Sequence, residues 1–139
     1  MNYLVDANVL SEGTRQAPDA NVISWLKTHE EELSVSVITL WELQRGISRY
    51  PTSRKRAALE KWLDDMLEAF EGRILSVDEE VASKWGAYYA EQEKKGRKPP
   101  TLDSLLAATA RTHGLTVATR NAADFPDLPV TNPWEKEEL

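Results

Sequence analysis

The 139-residue sequence predicts an α/β fold of three layers, α/β/α, with a mainly parallel central sheet. Strand-like and helix-like segments alternate along the chain in the order β-α-β-α-α-β-α-α-β. Because neighbouring parallel strands need long crossover connections, which helices supply, this order favours a sheet covered by helices on both faces. The length and the 41% hydrophobic content suit one core, so we predict a single domain over residues 1–139.

The first third of the chain carries two predicted strands, each followed by helical residues. Residues 3–5 form the first strand, and a short helical turn after Asp6 breaks near Gly13. Asp19 caps the next helix, because a carboxylate there accepts hydrogen bonds from the first helical N–H groups. Residues 33–37 form the second strand, and the helix that follows ends before Tyr50-Pro51.

The strongest helical pattern covers residues 54–71, where apolar side chains recur at i, i+3 and i+4 and Gly72 follows. The remaining predicted elements are a strand at 74–77, a helix from Asp78 to about Gly96, a helix from about Leu102 to His113, a strand at 115–119 and an edge strand at 129–131. Residues 133–139 form either a loose tail or a segment that Trp134 holds to the body.

Composition restricts the chemistry that is available. The chain has no cysteine, which excludes disulfides and thiolate ligands, and its two histidines make an imidazole zinc site unfavourable. The net charge of −6 argues against a uniformly basic nucleic-acid surface. The basic runs at 54–56 and 94–98 are typical of solvated helix ends, with contact to phosphate as the less favoured alternative. There is no apolar run of membrane-spanning length and no leader, so we predict a cytoplasmic protein without membrane contact.

Four carboxylates fall where the predicted strands give way to helices, namely Asp6, Glu42, Asp103 and Asp124. Since parallel strands direct their carboxyl ends to one edge of the sheet, these acids are expected to converge there. Repulsion between them would be relieved by a hard divalent cation such as Mg²⁺ or Mn²⁺.

Each acid also has an ordinary structural interpretation. Asp6 and Asp124 suit turns, Asp103 complements the dipole at a helix start, and Glu42 completes the capping-box pattern that begins at Thr39. Asn8, Thr119 and Asn121 lie beside the acids and can orient them, although each fits a turn or cap equally well.

Four segments together resemble the PIN-domain ribonucleases of the VapC and FitB type, which are toxins of bacterial toxin–antitoxin systems. The segments are LVDANVLSE at 4–12, SVITLWELQRG at 36–46, DSLLAATA at 103–110 and TRNAADF at 119–125. The resemblance covers nearly the whole chain.

This resemblance implies a PIN-like domain in which the four acids bind one or two Mg²⁺ or Mn²⁺ ions. It further implies an endoribonuclease that hydrolyses RNA phosphodiester bonds with metal-activated water. Arg120 lies in a matching loop. Arg45 and Arg49 are candidates to line the RNA path, although a solvated surface explains them at least as well. The expected partners are RNA, a neutralising antitoxin and a second copy of the chain.

Two other functions remain open from the sequence. One is a Mg²⁺-dependent phosphatase for small phosphoesters with Asp6 as nucleophile, which leaves Glu42 without a role. The other is a PIN-like module that binds RNA or protein without cleaving it, against which the complete set of four acids argues.

Overall fold

The computed structural model describes residues 1–136. Within that range the strands are β1 (Tyr3–Val5), β2 (Leu33–Ser36), β3 (Ile74–Leu75), β4 (Thr116–Ala118) and β5 (Val130–Thr131). The α-helices are α1 (Ala7–Ser11), α2 (Ala20–Thr28), α3 (Val37–Ser48), α4 (Arg54–Ala69), α5 (Glu79–Lys94) and α6 (Thr101–His113). Short 3-10 helices cover Glu12–Thr14, Glu30–Glu32 and Ala122–Asp124.

The strands form one sheet in the order β3-β2-β1-β4-β5, and every neighbouring pair is parallel. The predicted parallel sheet is therefore confirmed, including the edge position of β5. Along the chain, strands are added first on one side of β1 and then on the other. The order consequently reverses between β1 and β4, and a crevice at such a point is where open α/β sheets bind ligands.

Helices cover both faces of the sheet, which confirms the three-layer arrangement. Successive strand residues point to opposite faces, so Val5 packs into the core beneath α1 to α4, whereas Leu4 packs into the core beneath α5 and α6. Leu63 of α4 and Tyr88 of α5 are fully buried in these two cores.

Helix boundaries follow local capping chemistry. Asp19 accepts hydrogen bonds from the N–H groups of Asn21 and Val22, and Asp78 accepts one from Val81, as the sequence predicts. At the other end of α6, Gly114 adopts the left-handed conformation with φ 65°, which only glycine reaches without strain.

The start of α3 differs from the capping-box interpretation. Strand β2 ends at Ser36 rather than at Val37, and the Ser36 hydroxyl accepts the hydrogen bond from the N–H of Ile38. Thr39 is consequently in the first helical turn, and its Oγ1 is buried with no hydrogen-bond partner in the described part of the chain. Glu42 lies in the second turn, so it is free of a capping role.

Trp134 holds the C-terminal segment as far as the structure describes it. Its ring packs against the core beneath α1 to α4, and its carbonyl accepts a hydrogen bond of 3.0 Å from the side chain of Asn21. The rest of the predicted tail, residues 137–139, lies outside the described residues. None of the helices within 1–136 has the length and apolar character needed to cross a bilayer.

Candidate active site

The candidate site lies at the carboxyl edge of the sheet, where β1, β2 and β4 end and α6 begins. Asp6 follows β1, Glu42 comes from α3 after β2, and Asp103 is in the first turn of α6. Asp124 ends the 3-10 helix that follows β4. The parallel topology thus directs residues from four separate segments toward one edge.

Asp6 is the most constrained of the four acids. It is 6% exposed, and its Oδ1 caps α1 by accepting a hydrogen bond of 2.8 Å from the N–H of Ala7. Its Oδ2 accepts hydrogen bonds from Thr119 Oγ1 at 2.8 Å and from Asn8 Nδ2 at 3.3 Å. Burial raises the pKa of Asp6 and the hydrogen bond from Thr119 opposes that rise, so both the position and the charge of this carboxylate are controlled.

The polar residues beside Asp6 connect the two strand ends into one network. Asn8 Nδ2 also approaches Thr119 Oγ1 at 3.4 Å, and Asn8 Oδ1 accepts a hydrogen bond from the backbone N–H of Arg120. Asn121 takes part through its backbone, whose N–H donates to Thr119 Oγ1. Asn8 and Thr119 therefore orient the acid with their side chains, whereas Asn121 fixes the loop that carries Thr119.

Glu42 and Asp103 are half-buried and face the other carboxylates. Desolvation, together with the charges of Asp6 and Asp103, raises the pKa of Glu42 from its ordinary 4.5 to about 7. Desolvation, together with the charges of Asp6 and Asp124, raises the pKa of Asp103 from its ordinary 3.8 to about 6. Each of the four predicted acids thus interacts electrostatically with at least two of the others, which makes the fully ionised cluster unfavourable.

A hard divalent cation fits this donor set. The atom Glu42 Oε1 is buried without a hydrogen-bond partner in the described chain. Carboxylate oxygens such as those of the four acids are the ligands that hard divalent cations prefer. Nowhere in residues 1–136 are three or more acidic or histidine side chains grouped so as to hold a metal ion. Mg²⁺ tolerates such an open arrangement because it keeps several water ligands and needs only one or two carboxylates.

A cavity of about 340 Å³ opens beside Glu42 and runs between α3 and α4. Asn8 and Glu42 line it at the acidic edge, and Tyr50 and Trp62 line its far part. Trp62 also lines a second, more apolar cavity of about 500 Å³ between α2 and α4. Trp62 lies between the two cavities, which we call together the groove.

The three arginines predicted to contact RNA are exposed, but they occupy different places. The Arg45 guanidinium lies 5.9 Å from the ring centroid of Trp41, one turn beyond Glu42. Arg49 follows the last residue of α3 and lines a neighbouring cavity that shares Tyr50 with the one beside Glu42. Arg120 follows Thr119 directly, and its guanidinium lies 4.9 Å from the ring centroid of Trp134.

The fold and the acidic edge can be compared with known proteins. The family model described as "PIN domain" matches residues 3–130 of this chain. The chain belongs to the PIN domain family. The resemblance stated from the four sequence segments is thereby confirmed.

Relatives of this PIN domain extend over almost its whole length. It is 37% identical to Toxin FitB of Neisseria gonorrhoeae, over 94% of this chain and 97% of the relative. It is 33% identical to VapC ribonuclease Y4jK of Sinorhizobium fredii, over 95% of this chain and 97% of the relative. The solved structure of FitAB bound to an IR36 DNA fragment superposes with a TM-score of 0.92, 34% identity and 98% coverage of both chains.

One basic segment of this PIN domain has a position that its sequence does not reveal. Arg97 and Lys98 belong to the run that the sequence assigns to a solvated helix end, yet they line a cavity that also includes Asp124. The signal available in the sequence is the combination of Gly96, which ends the helix, and Pro99-Pro100, which extends the chain back toward the start of α6.

Proposed function

We propose that this PIN domain is a toxin-type, divalent-metal-dependent endoribonuclease that hydrolyses RNA phosphodiester bonds. The observation that carries the proposal is the electrostatic cluster of Asp6, Glu42, Asp103 and Asp124 at the carboxyl edge of the sheet. The raised pKa values of Glu42 and Asp103 indicate an arrangement that is unfavourable by itself and favourable around a cation. The ribonuclease name of the VapC relative supports RNA as the substrate, and we place this activity in the cytoplasm.

We assign one or two Mg²⁺ or Mn²⁺ ions to the four acids. When bound, such an ion lowers the pKa of water and neutralises charge on the phosphate. The contribution of the protein is to hold the carboxylates in place before the substrate arrives. Asp6 does this with both oxygens already fixed by Ala7, Asn8 and Thr119. Such fixed electrostatics lower the barrier because no reorganisation is needed during the reaction.

The substrate in this proposal is single-stranded or looped RNA, whose exposed bases are accessible to a protein. The acidic cluster repels phosphate, so cations must flank it. Arg120 follows Thr119 at the site, and Arg45 lies one helical turn from Glu42, which suits both for contacts with the RNA backbone. Arg49 lies one further turn along α3 and would contact a more distant part of the strand.

We also propose that an antitoxin neutralises the enzyme by occupying the groove beside Glu42. The groove combines an acidic end with the apolar surface around Trp62, and partly exposed Ile23 borders its far cavity. A partner segment with a basic side chain at one end and apolar side chains along its length would match this surface. The name FitAB of the superposed complex supports a two-component assembly.

A homodimer is the proposed assembly of the toxin itself, and it is carried over from the family resemblance. The outward surface of α3 and of the turn after it supports this assembly, because Trp41 in α3 is 51% exposed and Tyr50 in the turn is 38% exposed. Sedimentation of the purified chain tests this assignment, and a Trp41→Ala variant should shift the equilibrium toward monomer if this surface is the interface.

Cleavage assays on inhibitor-free protein test the enzymatic proposal. Wild type, Asp6→Asn and Asp103→Asn should be compared on single-stranded and structured RNAs, with Mg²⁺, with Mn²⁺ and with chelator. We expect cleavage that requires the metal and that both substitutions abolish, since each removes an anionic ligand while keeping the side-chain shape. Cleavage that survives both substitutions in folded protein would contradict the assignment.

The same preparations separate the competing functions. Turnover of a small phosphoester with a trapped phosphoenzyme at Asp6, and no RNA cleavage, would indicate a phosphatase. RNA binding without metal-dependent cleavage would indicate a non-catalytic module.

A further inference from the structure

After α5 the chain reverses direction through a hydrogen-bonded turn at Gly96. Gly96 has φ 74°, its N–H donates to the carbonyl of Glu93, and the N–H of Arg97 donates to the carbonyl of Gln92 at 2.8 Å. This pair of bonds is the Schellman arrangement that terminates helices at a left-handed glycine. It sends residues 97–100 back toward the start of α6 and the acidic edge.

A buried side chain anchors this return. Gln92 is fully buried, and its Nε2 donates a hydrogen bond of 2.9 Å to Asp127 Oδ2. The same carboxylate oxygen accepts from Lys95 at 2.6 Å and from Arg97 at 3.2 Å. Arg97 also donates to Gln92 Oε1 at 3.1 Å. Two cations therefore share one carboxylate, and the segment that follows them is held against the body.

The anchored segment forms one wall of a cavity of about 290 Å³. Arg97, Lys98, Pro99 and Pro100 line one side, and Asp124 lies on the same cavity. Lys98 forms no ion pair with any residue in 1–136. The cavity thus combines an uncompensated cation, flat proline surfaces and one of the four proposed metal-binding acids.

We propose that this cavity is a nucleotide subsite that holds the RNA backbone next to the cleaved bond, with Lys98 contacting a phosphate oxygen. The proposal rests on the proposed endoribonuclease function and adds residues that the resemblance does not supply. A phosphate bound here lies beside Asp124 and is therefore adjacent to the acidic cluster. A cation at this place offsets the repulsion that four carboxylates exert on a polyanion.

The cavity favours RNA over an acidic protein segment. An acidic peptide would bring carboxylates toward Asp124 but offers no bond on which the neighbouring acids can act, whereas the phosphate of a nucleotide is the group on which the proposed site acts. The rings of Pro100 and Pro126 offer an apolar surface against which a ribose can pack.

The salt dependence of RNA binding tests the subsite. The probe is a short fluorescent single-stranded RNA of mixed sequence, bound in chelator so that no cleavage occurs. In Lys98→Ala we expect about a 3- to 10-fold weaker affinity and a slope of log K against log salt that is shallower by about 0.7, the effect of losing one phosphate contact. Lys98→Arg should retain the wild-type slope because the charge remains.

Lys94→Ala is the matched control, because Lys94 belongs to the same basic run and is exposed but does not line the cavity. A wild-type slope in Lys98→Ala, or an equal loss in Lys94→Ala, would overturn the subsite. Loss of antitoxin binding in Lys98→Ala with unchanged RNA binding would assign the cavity to the protein partner and overturn it as well.

Different measurements test the proposed ribonuclease function and the proposed subsite, so either one can be contradicted without the other. Metal-dependent cleavage by wild type reports on the enzyme, whereas the binding slope in chelator reports on Lys98. Under cleavage conditions we expect Lys98→Ala to raise KM about 3- to 10-fold with little change in kcat, as expected for a contact made equally in the ground and transition states. An unchanged KM in an active enzyme would overturn the subsite while leaving the nuclease intact.

Discussion

Thr119 donates a hydrogen bond of 2.8 Å from its hydroxyl to Oδ2 of Asp6, and this bond joins the ends of two neighbouring parallel strands. Val5 of β1 is in register with Ala118 of β4, so Asp6 and Thr119 are the next residues along each strand. They are 113 positions apart in sequence. The register of the sheet therefore places a hydroxyl donor directly against the most buried acid of the site.

Replacing Thr119 with valine tests this relationship. Thr119→Val keeps the β-branched shape but removes the donor, which leaves a buried carboxylate with one fewer hydrogen bond. We expect a loss of about 10- to 100-fold in Mn²⁺ affinity or RNA cleavage, the usual effect of removing a group that orients a metal ligand. Metal titration monitored by calorimetry and cleavage rates measure the effect. Thr119→Ser is the control, and equal losses in serine and valine variants would show that packing rather than the hydroxyl matters.

Removing one charge from the cluster should separate stability from metal binding. In the absence of metal at pH 8, we expect Glu42→Gln to raise Tm, because it removes a partly desolvated carboxylate that faces Asp6 and Asp103. The same variant should show a smaller rise in Tm than wild type when Mg²⁺ or Mn²⁺ is added, since a metal that binds more weakly stabilises the folded state less at the same concentration. Thermal unfolding with and without metal checks both effects. A lower Tm for metal-free Glu42→Gln would contradict the repulsion.

The pH dependence of stability has a definite sign in the metal-free protein. Folding raises the pKa of Glu42 to about 7 and that of Asp103 to about 6, above their ordinary 4.5 and 3.8. Between the ordinary and raised values the folded state binds more protons, so the free energy of unfolding falls as pH rises. This contribution is fully present below the ordinary values and is lost as pH passes through about 6 and about 7.

Denaturant unfolding between pH 5 and 8 in chelator measures that decline. The wild-type free energy of unfolding should fall more steeply than that of Glu42→Gln, and the difference between the two slopes isolates Glu42. Parallel curves for the two proteins would show that Glu42 titrates normally.

The start of α3 provides a test in a region that no ligand contacts in the proposal. Ser36→Ala should lower the free energy of unfolding by about 1 kcal/mol, because Ser36 is the residue that caps this helix. Thr39→Val should be neutral or stabilising, because the Thr39 hydroxyl is buried without a partner among the residues described. The free energies of unfolding of both variants, measured by denaturant unfolding, show whether Ser36 or Thr39 caps the helix. The reverse order of effects would restore the capping box that begins at Thr39.

Much of the fold could be predicted from local sequence signals. Asp19 and Asp78 cap helices where the sequence predicts them, because a cap depends on neighbours only two or three residues away. The boundary at Ser36 was predicted incorrectly by one residue, since Val37 suits a strand and only packing of α3 decides that the helix begins there. The strand preference of Val37 and the helix-capping preference of Ser36 oppose each other at this boundary, and packing in the folded chain favours the helix start.

The sequence by itself determined the identity of the four acids, the order of strands and helices, and the resemblance to PIN-domain ribonucleases. These three features depend only on residue type and on spacing along the sequence. The tertiary structure alone decided that Thr119 fixes Asp6, that Glu42 has a buried oxygen without a partner among residues 1–136, and that Lys98 and Asp124 line one cavity. Such relationships join residues that are distant in sequence, and they depend on strand register and helix packing, which no local pattern specifies.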